Sequence, residues 1–138
     1  MERPQTARDI MVTKLVTLKP GMDVFEAIDL LLDHQISGAP VIDADDRFVG
    51  LFTEKDCLSI MVSAANRTLT TTSIDGFIKT ETQSVDEETD LLTIAQIFLD
   101  TPYRRVPVLR GDKLVGLISR RDVLQACRQF RRESAGGD

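Results

Sequence analysis

The sequence predicts an α/β (α+β) fold in which one unit occurs twice, the two copies related by a pseudo-twofold axis. Three observations lead there. The stretch Gly50-Leu51-Phe52-Thr53-Glu54-Lys55-Asp56 returns as Gly116-Leu117-Ile118-Ser119-Arg120-Arg121-Asp122, and Ala39-Pro40-Val41-Ile42 returns as Val106-Pro107-Val108-Leu109. The copies lie 67 residues apart at the prolines and 66 at the aspartates, so the second has lost one residue in the polar segment between the motifs. A turn absorbs such a loss, whereas a strand would be thrown out of register. Within each copy, short β-branched runs alternate with stripes of helical period. A repeat of this length is a whole supersecondary unit rather than a solenoid repeat. In a chain of 138 residues, two halves of about 60 residues would each be marginal alone, so they are expected to share a core.

Each copy reads helix–β–α–β–β–α. Thr6 to Met11 is a short helical lead-in, Leu15 to Leu18 a short strand and Lys19-Pro20-Gly21 a turn. Asp23 stands as an N-cap with Glu26 three residues on, the pattern of a capping box. Val24, Ala27, Ile28, Leu31 and Leu32 then form the apolar stripe of an amphipathic helix that ends near Gln35. Ala39 to Ile42 and Phe48 to Phe52 are strands joined by an acidic turn, and Thr53 opens a helix to about Ala65. In the second copy Ser73 to Ile78 is the lead-in and Gln83 to Val85 the first strand. Asp90 is the cap and Leu91, Ile94, Ala95, Phe98 and Leu99 the stripe; Arg105 to Leu109 and Lys113 to Ile118 are strands, and Arg120 to Arg131 the last helix. The expected division is repeat 1 over 7–65, a linker over 66–72, repeat 2 over 73–131 and a disordered tail over 132–138.

Composition narrows the function classes. Net charge is −5, Trp is absent and aromatics make up 5% of the chain, which disfavours nucleic-acid binding, whether by charge or by base stacking. The positive charge is concentrated late, at Arg104, Arg105, Arg110, Arg120, Arg121, Arg128, Arg131 and Arg132, an arrangement suited to a small anion. Cys57 and Cys127, one per repeat, lack metal or redox spacing and read as small hydrophobes of a reducing compartment. No signal peptide opens the sequence and no apolar run reaches a membrane span, so a cytoplasmic protein without membrane contact is expected. His34, the single histidine, reads as a helix C-terminal cap, and Asp43, Asp45 and Asp46 as solvated turn residues rather than a calcium loop. No zinc quartet, P-loop or nucleophile elbow is present; no metal, no obligatory cofactor and no catalytic residue are expected, and the protein reads as a non-enzyme.

Chemistry is concentrated where a strand hands over to a helix, at Thr53-x-x-Asp56 and Ser119-x-x-Asp122. A helix N-terminus favours phosphate through its unpaired N–H groups and dipole. A carboxylate three residues in can accept hydrogen bonds from two ribose hydroxyls, and the residues before Pro40 and Pro107 can wall a base. Gly50 and Gly116 would let a flat ligand approach the backbone. The same Ser/Thr-x-x-Asp pattern is close to a capping box that needs no ligand. Its occurrence in both copies, each with the strand glycine and the upstream proline, favours a functional role alongside the cap.

With these features in this order, twice, the chain resembles a tandem pair of cystathionine-β-synthase (CBS) domains, a Bateman module, over roughly Ala7 to Phe130. The resemblance rests on the first-strand hydroxyl (Thr17 and Ser84), the x-Pro-hydrophobic strand and the Gly-to-Asp motif in both copies. It implies two β-α-β-β-α repeats packed sheet to sheet, with two clefts that bind adenosine-containing ligands. By the same resemblance Asp56 and Asp122 would hold ribose hydroxyls, Thr53 and Ser119 would contact phosphate or ribose, and Ala39 and Val106 would meet adenine through their backbones beside Pro40 and Pro107. Thr17 and Ser84 would line the clefts. Arg105, Arg120 and Arg121, where the first copy has Gly38, Glu54 and Lys55, favour AMP, ADP or ATP over S-adenosylmethionine, because guanidinium binds phosphate bidentately. The expected protein is a stand-alone, energy-sensing regulatory module that signals nucleotide occupancy to an unknown client. A homodimer is expected through Leu58, Met61, Val62, Val123, Leu124 and Cys127. The alternative is an interaction adaptor in which the Ser/Thr–Asp pairs are caps alone and no nucleotide binds.

Overall fold

The structure, a computed structural model, describes residues 5–80 and 82–136. Ten elements follow in order: α1 (Ala7–Ile10), α2 (Val24–Asp33), β1 (Gly38–Ile42), β2 (Phe48–Thr53), α3 (Glu54–Ala65), β3 (Val85–Asp86), α4 (Leu91–Asp100), β4 (Arg105–Arg110), β5 (Lys113–Ser119) and α5 (Arg120–Gly136), with a single 3₁₀ turn at Ile74–Gly76 before β3. The chain forms two compact units. One is Leu15–Thr82; the other combines the segment up to Lys14 with everything from Gln83 onward. The compact units therefore do not coincide with the sequence repeats over 7–65 and 73–131: each repeat's lead-in folds with the sheet of the other.

In the Leu15–Thr82 unit, β1 and β2 form an antiparallel hairpin that pairs Gly38 with Thr53, Ala39 with Phe52, Pro40 with Leu51 and Val41 with Gly50. One face carries Ala39, Val41 and Phe52 into a core with Leu18, Val24, Ala27, Leu31, Ile60 and Ile74. The strand expected over Leu15 to Leu18 is reduced to one paired residue, Leu18, whose N–H donates to Pro40 O (2.9 Å) and whose carbonyl accepts from Ile42 N (3.0 Å). Pro20, two residues on, has no N–H to continue a parallel ladder. At the matching place the second copy has Glu87, and there β3 pairs two residues, Val85 with Val108 and Asp86 with Leu109.

The other unit repeats the hairpin register. Arg105 pairs with Ser119, Val106 with Ile118, Pro107 with Leu117 and Val108 with Gly116, and each hairpin slips one place at the matching point, after Val41 and after Val108. Its core gathers Ala7, Val85, Leu91, Ile94, Ile97, Val106, Val108, Ile118, Val123 and Ala126. The missing residue falls in the turn, as the sequence requires. In the first copy Asp43 organises that turn by accepting from Asp45 N (2.8 Å) and Arg47 N (3.0 Å), with Asp46 at φ 64°; in the second, Gly111 takes φ 64°, where the lack of a Cβ removes the steric cost.

Three sequence expectations need correction. The helix stripes are rotated: Leu32 (70% exposed) and Leu99 (78%) face outward, while Ile97 is buried in place of Leu99, because both lie a step round the helix from the residues that reach the core. Val123, an expected dimer contact, is buried in its own unit's core. The last helix runs to Gly136 rather than Arg131, since Arg132 to Ala135 contain no helix breaker; residues 137–138 of the expected tail lie outside the described residues.

Candidate functional site

The exchange of lead-ins builds the edge of each site. Asp23 bridges to Ser73 and Thr6 to Asp90, matching positions 67 residues apart. Farther along, Leu51 N donates to Lys79 O (3.0 Å) and Lys79 N to Leu51 O (2.9 Å); in the other unit Val12 N donates to Leu117 O (2.8 Å) and Leu117 N to Val12 O (3.0 Å). Each lead-in thus adds one paired residue to the free edge of β2 or β5, next to the strand glycine.

That pairing overturns the idea that Gly50 and Gly116 admit a flat ligand. A Cβ on Gly50 would stand 2.4 Å from both Ile78 Cγ2 and Lys79 O, and a Cβ on Gly116 would stand 2.6 Å from Met11 Sδ. The glycines make room for the exchanged lead-in chain.

At the ends of β2 and β5 the two Ser/Thr–Asp pairs have the same geometry. Asp56 Oδ2 accepts from Thr53 N (2.8 Å) and Thr53 Oγ1 (3.0 Å). Asp122 Oδ2 accepts from Ser119 N (2.8 Å) and Ser119 Oγ (2.9 Å), while Asp122 N donates to Ser119 Oγ (3.2 Å). These are capping boxes, and they engage Oδ2 of each carboxylate. They also assign the hydroxyl protons. A hydroxyl has one proton and two lone pairs, and against a carboxylate the proton must point to the carboxylate. Thr53 Oγ1 and Ser119 Oγ therefore face any ligand as acceptors, a match for a sugar hydroxyl and not for a phosphate oxygen.

The hairpin register brings the other expected residues to these boxes. Ala39 and Val106, both buried, lie one row from the Thr53 and Ser119 rows, with Pro40 and Pro107 next. Thr17, half-buried, and Ser84, exposed, immediately precede the residues that pair beside Pro40 and Pro107. Arg105 stands opposite Ser119 and is half-buried, where the first copy has Gly38 opposite Thr53. Arg120 and Arg121 are both exposed on the first turn of α5; consecutive helical residues diverge by about 100°, so the two do not aim at one point.

A charged cluster that sequence reading missed fastens α1 to its unit. Glu87, 8% exposed, accepts from Arg110 Nε (2.8 Å) and Nη2 (3.0 Å) and from Arg8 Nε (3.4 Å). Arg110 above all, and Arg8 after it, hold the Glu87 carboxyl below its ordinary range, and Glu87 raises Arg110 in return. Nothing in the spacing of residues 8, 87 and 110 marks them as neighbours until the lead-in is known to change places. His34 sits at the C-cap of α2 with Nδ1 2.9 Å from Leu30 O, as a capping residue should.

The family model of the CBS domain matches this sequence twice, over residues 7–63 and 74–129. The chain is a tandem pair of CBS domains. The chloroplastic CBS domain-containing protein CBSX1 of Arabidopsis thaliana is 35% identical to this CBS pair, over 92% of the chain and 66% of its own length. The chain thus spans about two thirds of that relative. The CBS domain-containing protein YhcV of Bacillus subtilis is 27% identical over 95% of the chain and 90% of its own length. Among solved structures, CBSX2 in complex with AMP matches with a TM-score of 0.83 at 29% identity, covering 92% of this chain and 98% of that one. The CBS domain pair of MJ0100 in complex with 5′-methylthioadenosine and S-adenosyl-L-methionine shares the fold, with a TM-score of 0.77 at 19% identity. No helix among the described residues is long and apolar enough to cross a membrane.

Proposed function

We propose that this CBS pair is a regulatory, non-enzymatic module that binds an adenosine nucleotide, AMP, ADP or ATP, and signals occupancy to a partner. The observation that carries the reading is the duplicated box, in which the cap engages one carboxylate oxygen of Asp56 and Asp122 and leaves the other, Oδ1, for a ribose hydroxyl. Each box adjoins an x-Pro strand in which Ala39 or Val106, the residue before the proline, would lie beside the adenine. The AMP complex of CBSX2 and the adenosine-derived ligands of MJ0100 support the ligand class. Occupancy would reach a partner through a homodimer. Exposed Leu58, Met61 and Val62 on α3 and Leu124 on α5 offer an apolar surface for it. Nucleotide regulates only if it binds one arrangement of that dimer better than another.

Isothermal titration calorimetry with AMP, ADP, ATP and S-adenosylmethionine tests the reading. Saturable binding of a nucleotide, weakened more than about tenfold by Asp56→Ala or Asp122→Ala in a protein that stays folded, supports it. Flat traces for all four ligands would refute it and favour the adaptor, in which the boxes are caps worth about 1 kcal/mol each.

A further inference from the structure

The two sites differ in where they carry positive charge. In the β1–β2 hairpin, directly paired residues share a sheet face, and so do residues two apart along a strand. Pro40, Leu51 and Lys79 form one row across β1, β2 and the exchanged lead-in, and Gly38 and Thr53 form the next row on the same face. In the other unit the matching rows are Pro107, Leu117 and Val12, then Arg105 and Ser119. The cation has changed places. One site carries Arg105 on its own strand and an apolar Val12, 45% exposed, on its lead-in; the other has glycine on the strand and exposed Lys79 on the lead-in. Lys55 and Arg121 occupy one matching position in both repeats, so they do not distinguish the sites, whereas exposed Arg120, matched by Glu54, adds a cation beside the second site alone and leaves the first more dependent on Lys79.

The protonation geometry of the boxes gives that cation a task that the box side chains cannot perform. Thr53 Oγ1 spends its proton on Asp56, and Asp56 is itself an anion, so neither welcomes a phosphate. Lys79 stands two residues along (roughly 6.6 Å) and one strand across (about 4.8 Å) from Thr53, roughly 8 Å in all, a span covered by the four-carbon stem of lysine together with a hydrogen bond from its ammonium.

We propose that Lys79 is the phosphate-recognition residue of the first repeat's nucleotide site, the functional counterpart of Arg105 in the second. The inference rests on the nucleotide-binding reading above and adds to it a specificity residue contributed by the other repeat's lead-in. Lys79 holds the lead-in through its main chain, so Lys79→Met keeps the pairing and the stem and removes only the charge.

Calorimetry with AMP and with adenosine tests it in two backgrounds. In Asp122→Ala protein, where the first site alone operates, Lys79→Met should weaken AMP by about tenfold or more and leave adenosine within about twofold, and Lys79→Arg should retain AMP. In Asp56→Ala protein, Lys79→Met should leave AMP unchanged and Arg105→Met should weaken it. Unchanged AMP affinity of Lys79→Met in the first background overturns the proposal, as does an equal loss for adenosine, or an Asp122→Ala protein that binds no AMP. If the unmutated protein binds AMP and adenosine equally well, phosphate is not read and this proposal falls while nucleotide binding stands. If it binds no nucleotide or nucleoside, the functional reading falls and takes this one with it.

Discussion

Adding one methyl group at Gly50 should unpair the second repeat's lead-in from β2, and the cost can be worked out from the obstacles. The new Cβ would meet the backbone oxygen of Lys79 and the Ile78 side chain, each at 2.4 Å. A side chain can turn aside, but the Lys79 carbonyl is fixed by the two hydrogen bonds it and its own N–H make with Leu51. Relieving the clash breaks both bonds, about 1 kcal/mol each, and adds overpacking of about 1–3 kcal/mol. Alanine in place of glycine in a strand returns roughly 0.5–1 kcal/mol. The net expectation for Gly50→Ala is about 2–4 kcal/mol of lost stability. Gly116→Ala presents the same chemistry against a softer obstacle, since the three nearest atoms all belong to the Met11 side chain. Methionine has three rotatable bonds and can move, so its cost should stay near 1 kcal/mol.

Urea unfolding followed by circular dichroism measures both variants. With an m-value of about 2 kcal/mol/M, Gly50→Ala should lower the midpoint by about 1–2 M and Gly116→Ala by about 0.5 M. Equal midpoints, or a milder effect at Gly50, would refute the claim that the strand glycines exist to admit the lead-in backbone. A ligand role would instead predict two stable proteins with impaired nucleotide binding.

Two further outcomes follow from ionisation and exposure. Glu87, held low chiefly by Arg110, contributes stability that is complete above the ordinary glutamate range and lost as pH falls through its lowered folded value; Glu87→Gln should flatten that acid limb of the stability profile, and an unchanged limb would mean the cluster is idle. Burial first, and the neighbouring Asp56 second, push the half-buried Cys57 thiol up, whereas Cys127 is exposed. At pH 8 an aromatic disulfide reagent should modify Cys127 well before Cys57 in the native protein, which mass spectrometry of the modified peptides resolves; the reverse order would contradict the packing of α3.

What the sequence could not reveal follows from how the lead-ins are held. The hairpins, the caps at Asp23 and Asp90 and the Thr53 and Ser119 boxes depend on residues close in the chain, and spacing alone locates them. The lead-in exchange depends on contacts such as Ala7 N to Thr89 O (2.8 Å) and Val24 N to Thr72 O (2.7 Å), between residues that share no local pattern. A duplicated sequence is ambiguous here by construction, because each lead-in would fit either sheet edge as far as hydrophobic period is concerned. Differences between the copies carry what evidence there is. Arg8 pairs with Glu87 (3.4 Å) and Glu88 (2.6 Å), and the positions matching Arg8, Glu87, Glu88 and Arg110 in the other unit are Asp75, Pro20, Gly21 and Asp43. There Asp75 instead accepts from Gly21 N (2.7 Å). Arg8 in the place of Asp75 would lose both Glu87 and Glu88, whose places are taken there by Pro20 and Gly21, and Asp75 in the place of Arg8 would face those two carboxylates. The ionic pattern therefore favours the exchanged arrangement over the unexchanged one. A double swap, Arg8→Asp with Asp75→Arg, puts like charge against Glu87 and removes the acceptor of Gly21. It should destabilise the protein more than either change alone if both lead-ins are exchanged as described. If each lead-in instead folded with its own repeat's sheet, the double swap would have no reason to exceed the worse single variant.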